Sequence, residues 1–442
     1  MAKRERKIQD YSFWYWLLRF YVDLALKLSF RNIRYAGREN IPQDGAVIYA
    51  PNHTNALMDA LVILAMDRKP KVFVSRADIF KNPILAKIFR FLKIMPIMCM
   101  RDGIDEVKKN VEIIQKSVDV LRDKVPFCIF PEGQHQAKYS SLPLSKGIFR
   151  IAFQAQELMT DMPLYIVPVG IRYGHFFRFR STVRIQIGEP INVGAFIAER
   201  KGMHPQEQMN EMRTLLEERM RESILYIPND EDYHATYETC AAVVSRQEAI
   251  LRKEKEHHKL RGLNAYFTAN NRTVKQIQEL KSSDPERARR ILDLANEARA
   301  LRTAQNISLK SVALRFPVLS NVLKGLIFLL LLPYILVTTI ASLPTTLLSN
   351  FLNSKFKDAA FHNSVRFLIN LVAWPVMMII YAIVAYIALP WQFALALTLA
   401  ILPSPLVADD VYRLIRLWVS DFKLWRNKPL RKKYAEIRDL MF

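Results

Sequence analysis

Ala46-Val47-Ile48-Tyr49-Ala50-Pro51-Asn52-His53-Thr54-Asn55-Ala56-Leu57-Met58-Asp59 begins as a short apolar run and ends inside a second one that carries a single carboxylate. The first run, Ala46 to Ala50, has the length and composition of a strand; the second, Leu57 to Met66, that of a helix. Pro51 and Asn52 break the chain between them. A His and an Asp six apart on one continuous helix would be rotated by about 600°, roughly 240° after a full turn, and would not face each other. His53 is therefore expected in the strand-to-helix loop, with Thr54 or Asn55 capping the helix and Asp59 reaching back to the imidazole. A carboxylate on one ring nitrogen fixes the tautomer and leaves the other nitrogen free to take a proton, which is what a general base requires.

Outward from this stretch the pattern persists. From Gly37 to about Ile191 short apolar runs alternate with helical stretches, as in an α/β layer structure. The expected strands are Ala46 to Ala50, Lys71 to Val74, Phe127 to Phe130, Leu164 to Ile171 and Val183 to Ile187; the expected helices include Leu57 to Met66, Val107 to Asp123 and Ile148 to Met159. Phe130-Pro131-Glu132-Gly133 ends a strand, and a Pro-x-Gly turn there would present backbone N–H groups as an anion cradle. Lys146-Gly147 places a cation and a flexible backbone just before a helix whose N-terminus favours a phosphate. Upstream, Pro96-Ile97-Met98-Cys99-Met100-Arg101 sets Arg101 at the end of another apolar run.

The whole chain has 442 residues, a net charge of +22 and 51% hydrophobic residues, which averages an enzyme-like part with a very apolar C-terminal part. Such a charge calls for an anionic partner: nucleic acid, an acidic membrane surface or a phosphorylated small molecule. No nucleic-acid motif is present, and an excess of Lys and Arg on the cytoplasmic side of a membrane protein accounts for much of the charge. Three widely spaced cysteines, Cys99, Cys128 and Cys240, form neither a disulfide framework nor a metal-ligand pattern and fit a reducing compartment.

Residues 1–36 include a helix from about Tyr11 to Phe30 whose Trp14, Leu17, Leu18, Tyr21, Leu24, Ala25 and Leu28 recur at helical spacing, the signature of a helix lying in a membrane interface. A domain at 37–204 follows, then a charged helical connector at 205–320. A membrane region at 321–408 holds apolar stretches at Leu326 to Leu343, Phe367 to Leu389 and Phe393 to Ala408. A basic tail at 409–442 carries nine Lys and Arg between Arg413 and Arg438, against Lys355, Lys357 and Arg366 in the connection before the last two stretches. By the positive-inside rule the tail is cytoplasmic, as is the basic body, so the crossings should be even in number and one of the three stretches should be re-entrant or interfacial.

The lead-in Gly37-Arg38-Glu39-Asn40-Ile41-Pro42, the Asn52-His53 loop, the Phe130-Pro131-Glu132-Gly133 turn and Val167-Pro168-Val169-Gly170 resemble, in order, the successive blocks of the glycerolipid acyltransferases that make lysophosphatidic and phosphatidic acid. The resemblance covers roughly Gly37 to Ile191. Most members separate the His from the Asp by four residues, where this chain has five, and follow the Glu-Gly with an Arg-Ser pair, where this chain has Gln134-His135-Gln136. Both departures resemble the fungal-type glycerol-3-phosphate acyltransferase branch, similar again at Tyr173-Gly174-His175, Arg178-Phe179-Arg180-Ser181 and Gly188-Glu189-Pro190-Ile191.

The resemblance implies an α/β fold with a mixed sheet flanked by helices, here with a helical connector and a C-terminal membrane helical region. It implies His53 as base, Asp59 as its partner, and Arg101, Glu132 and Gly133 as contacts of a phosphorylated glycerol acceptor, with Lys146 at the phosphate and Pro168 in the pocket wall. His135, Arg172 or Arg180 stands in for the missing Arg. The co-substrate is an acyl thioester on coenzyme A or on a carrier protein; no cofactor or metal is expected, and no nucleic acid. The enzyme is expected to be an integral membrane protein with its catalytic domain on the cytoplasmic face, bound to acidic lipid. Two rivals are a non-catalytic membrane scaffold whose basic helices bind acidic lipid, and a metal-dependent hydrolase using His53, Asp59 and His135.

Overall fold

In a computed structural model, which describes residues 7–97, 110–314 and 317–442, the chain divides into two compact units. One comprises Met1–Ile224 together with Phe356–Phe367; the other comprises Leu225–Lys355 and Leu368–Phe442.

The first unit opens with α1 (Phe13–Ser29), β1 (Phe30–Ala36), β2 (Ala46–Pro51) and α2 (Ala56–Leu64). It continues through β3 (Val72–Arg76), α3 (Pro83–Phe91), β4 (Ile94–Ile97), α4 (Asn110–Arg122), β5 (Phe127–Cys128) and α5 (Gly147–Leu158). It closes with β6 (Leu164–Tyr173), β7 (Ser181–Ile187), β8 (Ile191–Asn192), α6 (Val193–Glu199) and α7 (Pro205–Ser223). The strands form one mixed sheet in the order β1-β7-β6-β2-β5-β3-β4, with β8 also on β6. Pairings are parallel except those of β6 with β7 and β8.

Strand β2 lies near the centre and is buried along its whole length, which is why it reads as an uninterrupted apolar run. Ala46, Ile48 and Ala50 join a core with residues of α4, α5, α6 and α7. Val47 and Tyr49 point the other way and are buried too. Both faces of the sheet are thus covered, and the C-terminal end of β2 is left as the place where the loop Asn52–Asn55 emerges. Gly170 shows how tightly α7 closes on β6: a Cβ there would lie 2.0 Å from the Ser223 carbonyl oxygen. Helix α7, expected within the connector, therefore belongs to the sheet-bearing unit, and Gln208, Met212, Leu216 and Met220 are its buried face.

Helix α1 inverts the usual arrangement. Trp14, Leu17, Phe20, Tyr21, Leu24 and Leu28 are exposed, while Arg19 is buried and donates to the carbonyls of Leu64 (2.6 Å), Asp67 (2.7 Å) and Lys69 (3.4 Å). A polar anchor holds the helix to the domain and leaves an apolar stripe outside.

The second unit is helical: α8 (Tyr233–Leu251), α9 (Gly262–Ser283), α10 (Pro285–Ala304), α11 (Leu309–Val312) and α12 (Pro317–Asn353), then α13 (His362–Ala388), whose first turn belongs to the first unit, α14 (Trp391–Ile401), α15 (Ser404–Arg426) and α16 (Lys428–Met441). Val318–Asn353 and Ala359–Ala388 are long and apolar enough to cross a membrane; α14 and α15 add a third candidate if their 48° bend is one broken span. The apolar stretch expected at Leu326 to Leu343 is the middle of a much longer helix that continues through Pro333 and Pro344. The basic segment expected as a tail is packed: Leu430, Tyr434, Ile437 and Met441 enter a core with residues of α8 and α10, and the Tyr434 hydroxyl donates to Glu238, which also pairs with Arg302. Its Lys and Arg are the outer face of amphipathic helices, and charge alone hid the apolar spacing beneath.

Candidate active site

The loop between β2 and α2 is held from both ends. Asn52 bridges β6, its amide donating to the Ile171 carbonyl at 3.2 Å and its side-chain oxygen accepting from the Ile171 N–H at 2.6 Å. Ala56 takes a positive φ of 42°, turning the chain sharply into α2. Asp59, one turn into that helix, is fully buried. Its Oδ2 accepts from the backbone N–H groups of Thr54 and Asn55, both at 2.7 Å, and lies 2.8 Å from His53 Nδ1; its Oδ1 accepts from the Tyr173 hydroxyl at 2.7 Å. The carboxylate itself therefore caps the helix, a task expected of Thr54 or Asn55. Because Oδ2 is an acceptor to two amides, Nδ1 carries the proton between His53 and Asp59, and in the neutral imidazole Nε2 is then the basic atom. Burial pushes the Tyr173 hydroxyl well up, so it stays a neutral donor.

The second wall is the turn after β5. Phe130 stacks on the His53 ring, centroids 4.3 Å apart and planes 27° apart. Gly133 has φ of 66°, a left-handed turn that glycine adopts without penalty, and its N–H closes on the Phe130 carbonyl at 3.1 Å. That N–H is thus not available to the anion cradle expected there. Glu132 turns inward: Oε2 accepts from the His53 N–H at 3.0 Å and Oε1 from the Leu142 N–H at 3.2 Å. The Gln136 N–H returns to the His53 carbonyl at 3.2 Å. Glu132 therefore braces the backbone beneath the base.

Burial dominates at Glu132 and pushes its carboxyl up to about 7, against the opposing pull of two N–H donors. The folded protein then holds this proton more tightly than the unfolded chain, whose value is near 4.5. The group's favourable contribution is complete at low pH and is lost as pH rises from about 4.5 to about 7. At most about 3 kcal/mol is involved. Thermal unfolding followed from pH 4 to pH 8 should show the wild-type midpoint falling more steeply through this window than that of Glu132→Gln, whose amide does not titrate; parallel curves would contradict this assignment.

His135 lies edge-on to His53, ring centroids 5.4 Å apart and planes at 81°. Its Nε2 is 2.5 Å from Asp358 Oδ2, and its ring meets Phe361 edge-on at 5.6 Å. Lys146 is exposed at the N-terminus of α5, next to Ser145, whose N–H bonds the Pro131 carbonyl at 2.8 Å. Pro168 pairs with Ala50 in the sheet. Two further candidates are placed by other contacts. Arg172 follows strand alternation onto the face opposite Tyr173, where it stacks on Tyr139 at 5.5 Å and pairs across the strands with Arg184, which in turn pairs with Arg34. Burial, then these two like charges, lowers the Arg184 guanidinium to about 10. Arg180 is tied to the end of α1, its main-chain N–H donating to Ser29 and its guanidinium to Leu28, both at 2.9 Å. Arg101 lies outside the described residues.

Tyr173, which bonds Asp59, and Asp358, which bonds His135, are residues of the site that the sequence alone did not assign. Tyr173 stood in a quoted motif; Asp358, 223 residues from His135, had no local signal. Among the described residues, no three His, Cys, Asp or Glu side chains are placed to hold a metal. Cys128 is fully buried, and burial pushes its thiol far up, unlike a nucleophile.

Comparison with known proteins finds similarity to acyltransferases over part of the chain. The acyltransferase family model matches residues 32–172, which contain His53, Asp59, Glu132, Gly133, His135 and Lys146 but neither Tyr173 nor the Asp358 segment. Glycerol-3-phosphate O-acyltransferase 2 of Saccharomyces cerevisiae is 30% identical over 149 residues, 32% of this chain and 20% of that one. A 1-acyl-sn-glycerol-3-phosphate acyltransferase of Chlamydomonas reinhardtii is 27% identical over 132 residues, 30% of this chain and 38% of that one. The crystal structure of the 1-acyl-sn-glycerophosphate acyltransferase of Thermotoga maritima superposes with a TM-score of 0.34 at 22% identity, covering 47% of this chain and 78% of that one. The alignments with these curated sequences thus span well under half of the relatives' own lengths.

Proposed function

We propose that the acyltransferase-family domain formed by residues 32–172 moves a fatty acyl group from an acyl thioester to a hydroxyl of glycerol 3-phosphate or 1-acylglycerol 3-phosphate, at a membrane surface and on its cytoplasmic face. The supporting observation is the grip on Asp59: two backbone amides and the Tyr173 hydroxyl hold a buried carboxylate 2.8 Å from His53 Nδ1, which leaves Nε2 as a base. The acceptor hydroxyl gives its proton to Nε2 as its oxygen attacks the thioester carbonyl. The tetrahedral oxyanion then collapses, the carbon–sulfur bond breaks, and the departing thiolate takes the proton back from the imidazolium. No covalent acyl-enzyme enters the sequence.

The donor thioester is carried by coenzyme A or a carrier protein, and the cationic surface with the exposed stripe of α1 draws the domain to acidic lipid. The test is direct. Purified full-length protein in mixed vesicles, given labelled acyl-coenzyme A or acyl-carrier protein, should acylate at least one of glycerol 3-phosphate, dihydroxyacetone phosphate and 1-acylglycerol 3-phosphate. Binding to acidic vesicles with no acyl transfer from either donor to any of the three would leave the membrane-scaffold reading in its place.

A further inference from the structure

The segment Phe356–Phe367 connects the two long apolar helices in sequence, yet it is part of the sheet-bearing unit. Its short helical turn at Ala359–Phe361 lies against α2, the helix that carries Asp59. Phe361 contacts the His135 ring edge-on and stacks on Phe356 at 5.6 Å. Asp358 is fixed on both oxygens: Oδ1 accepts from the Ala360 N–H at 2.9 Å and Oδ2 meets His135 Nε2. The Ala360 amide, then His135 and His362, hold this carboxyl below its usual range in spite of partial burial. Asp358 is thus a charged group with a fixed orientation, and it engages the histidine that flanks the base.

Two further observations point to a polar ligand at this place. His362 Nε2, Asn363 Nδ2 and Oδ1, and Ser364 Oγ are buried in this segment with no hydrogen-bond partner among the described residues. Thr54 Oγ1 and Asn55 Oδ1, in the loop that carries His53, are buried and unpartnered in the same way. Buried polar atoms are seldom left unsatisfied, and two such groups on segments flanking one catalytic pair are what a hydroxylated, charged substrate would complete. The spacing fits as well: the His53 and His135 rings lie 5.4 Å apart, within the reach of a three-carbon backbone with its hydroxyl at one ring and its phosphate at the other.

Building on the acyl-transfer reading, we propose that Phe356–Phe367 is a wall of the acceptor site and that Asp358 is a positioning residue, accepting from His135 Nε2–H so that His135, as the imidazolium, donates its Nδ1–H to the acceptor's phosphate. Specificity for the acceptor then depends on a residue outside the acyltransferase domain, in the connection between two apolar helices, and α12 must re-enter or lie along the membrane rather than cross it, leaving α13 and the α14–α15 pair as the two crossings. Removing Asp358 frees the His135 ring and loosens the acceptor without touching His53 or the thioester.

The experiment compares full-length wild type with Asp358→Asn, Asp358→Ala and the conservative Asp358→Glu in the same vesicles. Loss of one charge-assisted hydrogen bond should raise KM for glycerol 3-phosphate, or for whichever phosphorylated acceptor wild type uses, about tenfold in the Asn and Ala variants, with kcat and the acyl-coenzyme A KM within about threefold of wild type. Asp358→Glu should recover part of the loss. An unchanged acceptor KM, or a fall in kcat with both KM values disturbed together, would overturn the proposal. If wild type acylates no acceptor, the acyl-transfer reading falls first, and a second measurement still decides the strap. In His135→Cys/Asp358→Cys a short bifunctional thiol reagent should join the two positions in native membranes; failure to join them, as would follow if a bilayer separates them, overturns it.

Discussion

His53→Ala should lower the rate of acyl transfer by roughly 10²–10⁴-fold, the usual contribution of a positioned base, with little change in thermal stability. In energy this is about 3–5 kcal/mol of barrier. The stability half of the expectation rests on the way the loop is built. The His53 side chain is 19% exposed and makes one hydrogen bond, whereas the loop's shape is set by its backbone: the His53 N–H on Glu132, the His53 carbonyl on Gln136, and the amides of Thr54 and Asn55 on Asp59. None of these needs the imidazole. Turnover is measured with the preferred acceptor and thioester beside the unfolding midpoint. Loss of activity with an equal loss of folded protein would count against a catalytic role.

Asp59→Ala should have the opposite profile, losing activity and fold together. The carboxylate is fully buried and meets four groups: the amides of Thr54 and Asn55, the Tyr173 hydroxyl and the His53 ring. Removing it strands three buried donors and frees the imidazole to rotate or take the other tautomer. A loss of 3–5 kcal/mol in unfolding free energy is the order of magnitude expected when a buried carboxylate is removed from its partners. Asp59→Asn keeps the volume but presents an N–H to at least one donor, so it should fall between Ala and wild type in stability while remaining nearly inactive. Denaturant unfolding of the three proteins, with turnover measured in parallel, separates these outcomes. A stable, inactive Asp59→Ala would mean that the four hydrogen bonds are not the frame of the loop.

What was legible in the chain follows from what each segment buries. The β2 run, closed on both faces, admits no polar residue and is therefore plain as a strand; β6 reads the same way as far as Ile171, where Arg172 ends the apolar run before the strand itself ends at Tyr173. Strand β1, on the edge of the sheet, was missed because Arg31, Asn32 and Arg34 interrupt its apolar positions, as an edge permits. Strand β4 lay in an apolar run that stopped short of declaring its type, since four residues carry too little periodicity. The loop position of His53 was readable because helical geometry forbids the alternative. Glu132 was assigned to the acceptor through the family resemblance, and no local pattern in the chain tells that its buried carboxylate accepts from the His53 and Leu142 N–H groups. Arg172 and Arg180 could not be sorted by sequence: which face a strand residue takes depends on register, and the left-handed conformation of Arg180 at φ of 56° turns it toward α1. Asp358 lay beyond any local pattern, because a contact over 223 residues leaves no periodic trace.

The decisive measurement separates chemistry from binding. Equilibrium affinities of His53→Ala for glycerol 3-phosphate, or for the acceptor wild type prefers, and for the acyl thioester are determined beside its single-turnover rate. Both affinities should stay within about threefold of wild type while the rate of acyl transfer falls by at least about a hundredfold. A variant that still transfers the acyl group at near wild-type rate, or one whose lost rate is fully accounted for by lost affinity, would show that the imidazole of His53 is not the base.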